Sequence, residues 1–249
     1  MDGGTATRIA KLAVDARGQR VLEIGAGTGA LTAALVQLGA DVTAFDVDPD
    51  MVAILRSRDD LDGARIELGD ALAFDYGAYA DGGEWRVAGN LPYNVATPLL
   101  IALAALPRAP ERIVAMIQKD VAERLLAKPG TAQYGSLTVA IGLTMRVERA
   151  LTVPPSAFFP RPKVTSTVVT LHRLDAPAAN VRDRAWFEQV VRGAFAYRRK
   201  TLLNSVSLAL GLPRERIAAA IASLALDPDV RGEALDLRSF AALADALAA

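Results

Sequence analysis

An open α/β sheet of Rossmann type, with helices on both faces and a small all-α domain behind it, is the fold class predicted for this chain of 249 residues. Three observations predict it. Short apolar runs at residues 21–24, 42–45 and 85–89, with a further strand at 64–69, have the length and character of strands in an open α/β sheet. The first runs straight into a glycine turn, Gly25-Ala26-Gly27-Thr28-Gly29, and then into helix-like Ala30-Leu31-Thr32. Glycines there permit unusual φ and a close approach of backbone to a ligand. Beyond residue 182 the pattern changes to short amphipathic helices.

Each of the four strands brings a polar group to its end. Glu23 is a charge in an otherwise apolar strand, where a carboxylate needs a partner or a purpose. Gly25, Gly27 and Ala30 satisfy the G-x-G-x-x-A dinucleotide pattern, and Asp46 follows the glycines by about 20 residues at the end of the second strand. Its carboxylate suits the ribose of either a nicotinamide dinucleotide or S-adenosylmethionine. Asp70 closes the third strand as an acceptor for an adenine amino group, while Ala71 and Leu72 leave a flat apolar slot. Glu23 and Asp70 favour the sulfonium cofactor. The fourth strand ends in Asn90-Leu91-Pro92-Tyr93. The Asn90 side-chain carbonyl can accept from an exocyclic amino group, and Pro92 removes a donor so that neighbouring carbonyls are aimed inward. Tyr93 offers a ring face for a base, worth roughly 1–3 kcal/mol. Ligands of open α/β sheets bind at the carboxyl ends of the strands, so these residues predict an adenosyl pocket beside a base pocket.

The rest of the chain follows in order. Residues 96–106 read as a helix, 113–117 as a strand and 120–126 as a helix. Two longer β-rich runs, 137–152 and 164–174, are expected to close the first domain as a hairpin-like antiparallel edge. Residues 175–182 have linker character, and helices are predicted at 186–196, 201–210, 214–223 and 237–248. The expected domains are therefore 1–174, binding the cofactor, and 183–249, contacting RNA.

Together these segments resemble the KsgA family of ribosomal RNA adenine dimethyltransferases, over residues 2 to 249. Besides the stretches above, the resemblance is carried by 90–98, 116–124, Tyr134-Gly135-Ser136-Leu137, 153–164 and 195–204. The Asn90–Tyr93 motif alone also suits the related 23S ribosomal RNA methylases of macrolide resistance. The resemblance implies a class I methyltransferase sheet using S-adenosyl-L-methionine, with Glu23, Gly25, Gly27, Asp46, Asp70, Ala71 and Asn90 at the cofactor. It implies transfer to N6 of adenine by in-line displacement, with Asn90, Leu91 and Pro92 holding the amino group and Tyr93 and Phe158 on the two faces of a flipped base. Arg161, Lys163, Arg198, Arg199 and Lys200 are expected at RNA phosphates. The implied partner is 16S rRNA in an assembling small ribosomal subunit, modified at two adjacent adenosines of its 3′-terminal hairpin.

Composition sets limits. There are no cysteines and a single histidine, His172, so thiolate sites are impossible and no metal is expected. No apolar run reaches a membrane span, so a cytoplasmic protein is expected, acting as a monomer. The net charge is zero, but residues 1–84 hold 7 Lys/Arg against 15 Asp/Glu, and residues 85–249 hold 21 against 13. That asymmetry suggests a second half facing a polyanion. A nicotinamide enzyme would need an acid–base group that is not visible, and a small-molecule methyltransferase would need no basic half. Family members carry a Gly-Gln-(His/Asn)-Phe-Leu lid motif ahead of the point where Met1 stands, and a start codon called too late is the expected explanation. A non-catalytic assembly factor is the alternative if that lid is truly missing.

Overall fold

The parallel strands form where the apolar runs predict them. The computed structural model describes residues 1–92, 95–158, 161 and 164–248. A first helix, α1 (Gly3–Ala13), precedes β1 (Arg20–Ile24), α2 (Ala30–Gln37), β2 (Asp41–Asp46), α3 (Pro49–Arg56) and β3 (Arg65–Leu68). Then come α4 (Tyr76–Asp81), β4 (Arg86–Asn90), α5 (Ala96–Ala105), β5 (Arg112–Gln118) and α6 (Lys119–Leu125). After α7 (Ser136–Gly142), β6 (Met145–Val153) and β7 (Ser166–Arg173) complete the sheet, in the order β3-β2-β1-β4-β5-β7-β6. β3, β2, β1, β4 and β5 pair in parallel, and β7 is antiparallel to β5. This is the expected Rossmann-like sheet, with β6 and β7 on the antiparallel side.

The sheet's strand order reverses between β1 and β4, and that crevice is where such sheets hold ligands. Gly89 lets the two strands close up there: a Cβ on it would stand 2.5 Å from the Ile24 carbonyl oxygen. The central strands are buried on both sides, as parallel strands under helices must be, with Val21, Leu22, Val42, Ala44, Val87 and Val114 fully enclosed.

The chain forms two compact units, residues 1–122 with 146–173 and residues 123–145 with 174–249. The second contains α8 (Arg184–Ala196), α9 (Leu202–Leu210), α10 (Arg214–Ser223) and α11 (Leu237–Ala248), close to the expected helices. Its core joins Phe187, Val190, Leu202, Val206, Ile217 and Phe240 to Tyr134, Val139 and Leu143. Two expectations are corrected here. Residues 137–142 are helical, not strand, and the segment 123–145 belongs with the helical unit instead of the domain 1–174. Val139 and Leu143, four apart, enter that core on one helix face, and packing overrides the β preference of a Val/Ile/Thr-rich run. Tyr134 is anchored there by donating to the Leu235 carbonyl at 2.9 Å.

Candidate functional site

The carboxyl ends of β1, β2, β3 and β4 gather around one cavity of about 470 Å³, lined by Gly25, Phe45, Asp46, Val47, Asp70, Ala71, Leu72, Asn90 and Pro92, among others. A smaller one of about 110 Å³ adjoins it, sharing Gly25 and Asn90 and adding Glu23, Gly27, Thr28 and Met1. The glycine turn is built by backbone conformation. Gly25 and Gly27 sit at φ 73° and 54°, in the left-handed region that side chains disfavour. The Gly25 and Ala26 N–H groups both donate to the Phe45 carbonyl, which pins the turn to the end of β2. A Cβ on Gly25 would meet the Asn90 carbonyl at 3.5 Å, so the turn lies directly against the end of β4.

Asp46 has a double duty. Its Oδ2 accepts from the Gly27 N–H at 2.8 Å and its Oδ1 from the Asp48 N–H at 3.0 Å. The carboxylate therefore holds the glycine turn and faces the cavity at once, each oxygen keeping a second lone pair for a hydroxyl. Asp70 is half engaged in the same way: Oδ1 accepts from the Leu72 N–H at 2.9 Å. Glu23 is different in kind. It is fully buried, and its Oε2 has no hydrogen-bond partner among the described residues. Burial pushes its pKa up to about 8, the nearby Asp46 charge adding to the rise and Thr32 opposing it.

A family model, ribosomal RNA adenine dimethylase, matches residues 5–248. The chain belongs to that family. Relatives named ribosomal RNA small subunit methyltransferase A are similar along almost the whole chain. The one from Geobacter metallireducens is 42% identical, covering 100% of this chain and 92% of its own. The one from Pseudomonas aeruginosa is 41% identical, covering 99% and 91%. Among solved structures, a dimethyladenosine transferase from Plasmodium falciparum superposes with a TM-score of 0.81 at 25% identity, covering 97% of this chain and 94% of that one. The 23S rRNA methyltransferase ErmE shares the fold, at TM-score 0.71 and 22% identity, covering 100% and 99%. A family of methyltransferases thus accounts for the sheet, the glycine turn and the motif at the end of β4.

Within this dimethylase fold the residues singled out by sequence divide. Glu23, Gly25, Gly27, Asp46, Asp70, Ala71, Asn90 and Pro92 line the two cavities. Leu91 is buried below them, its N–H donating to the Met116 carbonyl. The Pro92 carbonyl is not available as an acceptor for a base: the Val95 and Ala96 N–H groups both donate to it where α5 begins, using both lone pairs. The acceptor role expected of Pro92 is therefore closed to its carbonyl. Phe158 lines neither cavity; it is partly buried against the core cluster that also holds Met1 and Leu151. Tyr93 and Lys163 lie outside the described residues.

The basic residues divide too. Arg161, Arg199 and Lys200 are exposed. Arg198 is committed to its own unit, donating to the Ala132 carbonyl and pairing with Glu233 at 3.8 Å. The charge asymmetry is partly neutralised inside the sheet unit. Arg86 and Arg112 pair with Asp15, Arg108 with Asp81 and Arg173 with Glu84, each a cation of the second stretch on an acid of the first. The excess also sits mainly outside the helical unit: residues 85–122 with 146–173 hold 9 basic against 3 acidic side chains, and the helical unit 12 against 10. No helix among the described residues is long and apolar enough to cross a membrane, and these residues contain no cluster able to hold a metal. His172, near the end of β7, has its pKa lowered by burial and by Arg112.

One residue behind the cavity wall escaped the sequence reading. The Tyr76 hydroxyl donates to the Ala71 carbonyl at 2.7 Å, bracing the Asp70–Leu72 loop from below. Its ring is stacked on Trp85 and tilted against Phe74, which stacks on Phe45. Burial, with Asp70 adding, raises its pKa, so it stays a donor at any working pH. Only its place six residues after Asp70 in an aromatic-rich stretch could have marked it. Tyr76→Phe is expected to weaken S-adenosylhomocysteine about fivefold, the worth of one net hydrogen bond of about 1 kcal/mol. A fall in melting temperature with unchanged affinity in calorimetry would make the hydroxyl merely structural.

Proposed function

We propose that this dimethylase-family protein uses S-adenosyl-L-methionine to dimethylate N6 of two adjacent adenosines in the 3′-terminal hairpin of 16S rRNA, within an assembling small subunit in the cytoplasm. The observation that carries the reading is the larger cavity, where Gly25, Asp46, Asp70 and Asn90 come together at four adjacent strand ends, Gly25 and Asn90 being shared with the smaller one. The donor set fits the cofactor: carboxylates at Asp46 and Asp70 for ribose hydroxyls and an adenine amino group, a φ-positive turn permitting close backbone approach, and a buried acid without a cation. When bound, S-adenosylmethionine supplies an electrophilic methyl group.

The chain's own residues then have positioning work. Asn90 stands at the edge of both cavities and accepts from the target amino group, with the Leu91 carbonyl beside it; the amino lone pair is conjugated with its ring and is a poor nucleophile until its hydrogens are held. Tyr93 stacks on the base. No general base is required, because the proton leaves after transfer, and most of the acceleration comes from alignment. The basic residues Arg161, Arg199 and Lys200 meet phosphates, and the helical unit orients the enzyme on the particle. The 16S target is favoured over 23S rRNA because the relatives above 40% identity are named for the small subunit.

The test offers purified small subunits lacking the modification alongside unmodified 23S RNA, with digestion and mass spectrometry as the readout. N6,N6-dimethyladenosine is expected in the small-subunit RNA alone. Methylation of only the 23S RNA would move the chain to the resistance type, and transfer to neither would favour a non-catalytic assembly role.

A further inference from the structure

The glycine turn is held from two sides. On the side of β2, the Gly25 and Ala26 N–H groups donate to the Phe45 carbonyl and the Gly27 N–H to the Asp46 carboxylate. Those bonds fix the start of the turn. Its exit, Thr28-Gly29, is met from elsewhere, by the chain that follows α3. Arg58 Nη1 donates to the Thr28 carbonyl at 2.5 Å, across 30 residues of sequence. Its Nε and Nη2 donate to the two oxygens of Asp60, at 2.9 and 2.5 Å, a fork that fixes the guanidinium plane.

The Thr28 carbonyl stands outside the hydrogen-bond ladder of α2. That ladder begins with the Gly29 carbonyl, which accepts from the Ala33 N–H at 3.0 Å. The peptide joining Thr28 to Gly29 also turns with little intrinsic resistance, because Gly29, at φ 86°, has no Cβ. Arg58 is placed to stop it. A Cβ on Gly29 would stand 2.7 Å from the Leu55 side chain, 3.0 Å from Arg58 Nη1 and 3.1 Å from the Leu61 side chain. Leu55 and Leu61 are buried in the core of the sheet unit, so Arg58 reaches over the turn between two fixed apolar anchors.

We propose that Arg58 is a positioning residue for the cofactor: anchored on Asp60, it clamps the Thr28 carbonyl and holds the exit of the glycine turn in its binding shape, without touching the cofactor. The inference rests on the cofactor reading above. Thr28 borders the smaller cavity, so a peptide that rotates there changes the cavity wall. A turn that has to be ordered on binding weakens affinity by the free energy of ordering it, whereas one already ordered does not. The clamp leaves the methyl group and its acceptor alone. Loss of Arg58 therefore raises the KM for S-adenosylmethionine and leaves kcat near that of the parent.

Calorimetry with S-adenosylhomocysteine and steady-state rates on unmodified small subunits test this in the full chain. Arg58→Ala is expected to weaken affinity about fivefold, the worth of one net hydrogen bond of about 1 kcal/mol. The KM for S-adenosylmethionine should rise in step, with kcat within about a factor of two of the parent. Arg58→Lys, which keeps a charged donor for the carbonyl but not the fork, should recover part of the affinity. Asp60→Asn leaves Arg58 in place and loosens its anchor, and should lose about twofold, the scale of an exposed ion pair. Unchanged affinity in Arg58→Ala, with or without a lower melting temperature, would overturn the proposal and leave the cofactor reading intact. A fall in kcat at saturating cofactor as large as the fall in affinity would do the same. A parent chain that does not bind S-adenosylhomocysteine would overturn both.

Discussion

Replacing Asn90 with alanine is expected to lower methyl transfer at saturating cofactor by about 100-fold or more, the scale of losing one aligned polar group in a site that works by preorganisation. Asn90 is the last residue of β4, held in register with Met116 on β5, and it opens onto both cavities. Its backbone also faces Gly25. The substitution keeps that backbone and removes only the amide proposed to accept from the target amino group. Because Asn90 borders the cofactor's cavities too, S-adenosylhomocysteine affinity should fall, but by no more than about tenfold, one hydrogen bond's worth. Single-turnover rates on unmodified small subunits, set beside calorimetric affinities, separate the two effects. Transfer retained within a few-fold would remove Asn90 from the base pocket. A proportional loss of affinity and rate would make it a cofactor contact alone.

The parts of this molecule legible in the sequence are those where one local rule dominates. Strand ends were legible because a buried parallel strand is a plain apolar run, and a Gly, Asp or Asn just beyond it stands out. The limits of α10 and α11 were legible because amphipathic period and turn residues agree. Residues 137–142 were not. Their β-branched composition favours a strand, and only the position of Val139 and Leu143 in the core of the helical unit makes them a helix. The gathering of Gly25, Asp46, Asp70 and Asn90 at one cavity could be anticipated from the α/β topology, whereas the state of each polar atom could not. That the Pro92 carbonyl is consumed by Val95 and Ala96, or that Tyr76 braces Ala71, depends on the path of a loop that no spacing encodes. Charge was legible only in part. A split of acids and bases along the chain looks like an RNA face, yet Asp15, Asp81 and Glu84 pair inside the sheet unit with cations from the other stretch.

The strongest of those internal pairs governs stability, and Arg86→Ala is expected to cost about 2–3 kcal/mol. Arg86 opens β4, four residues before Asn90, and its side chain is only 4% exposed. Nε and one terminal nitrogen donate to the two oxygens of Glu111, at 3.1 and 3.0 Å. The other donates to the Ala13 carbonyl and the Gln19 side chain and pairs with Asp15 at 2.9 Å. A single guanidinium thus ties the end of α1 and the turn after it to the starts of β4 and β5. Removing one partner of a buried pair typically costs about 3–5 kcal/mol, because the other charge is left stranded. Here Asp15 and Glu111 are 50% and 45% exposed and can rehydrate, which moves the estimate below that range. What cannot rehydrate is the Ala13 carbonyl, a buried acceptor that loses its donor. For a unit of this size the loss corresponds to a melting temperature lower by roughly 5–10 °C. Arg86→Lys should fall between, since an ammonium keeps the charge but cannot serve Glu111 in a fork. Urea melts in which Arg86→Ala matches the parent within about 0.5 kcal/mol would show that the hub is ornamental. Equal losses for the alanine and lysine variants would show that the planar fork, and not the charge, holds α1 to the sheet.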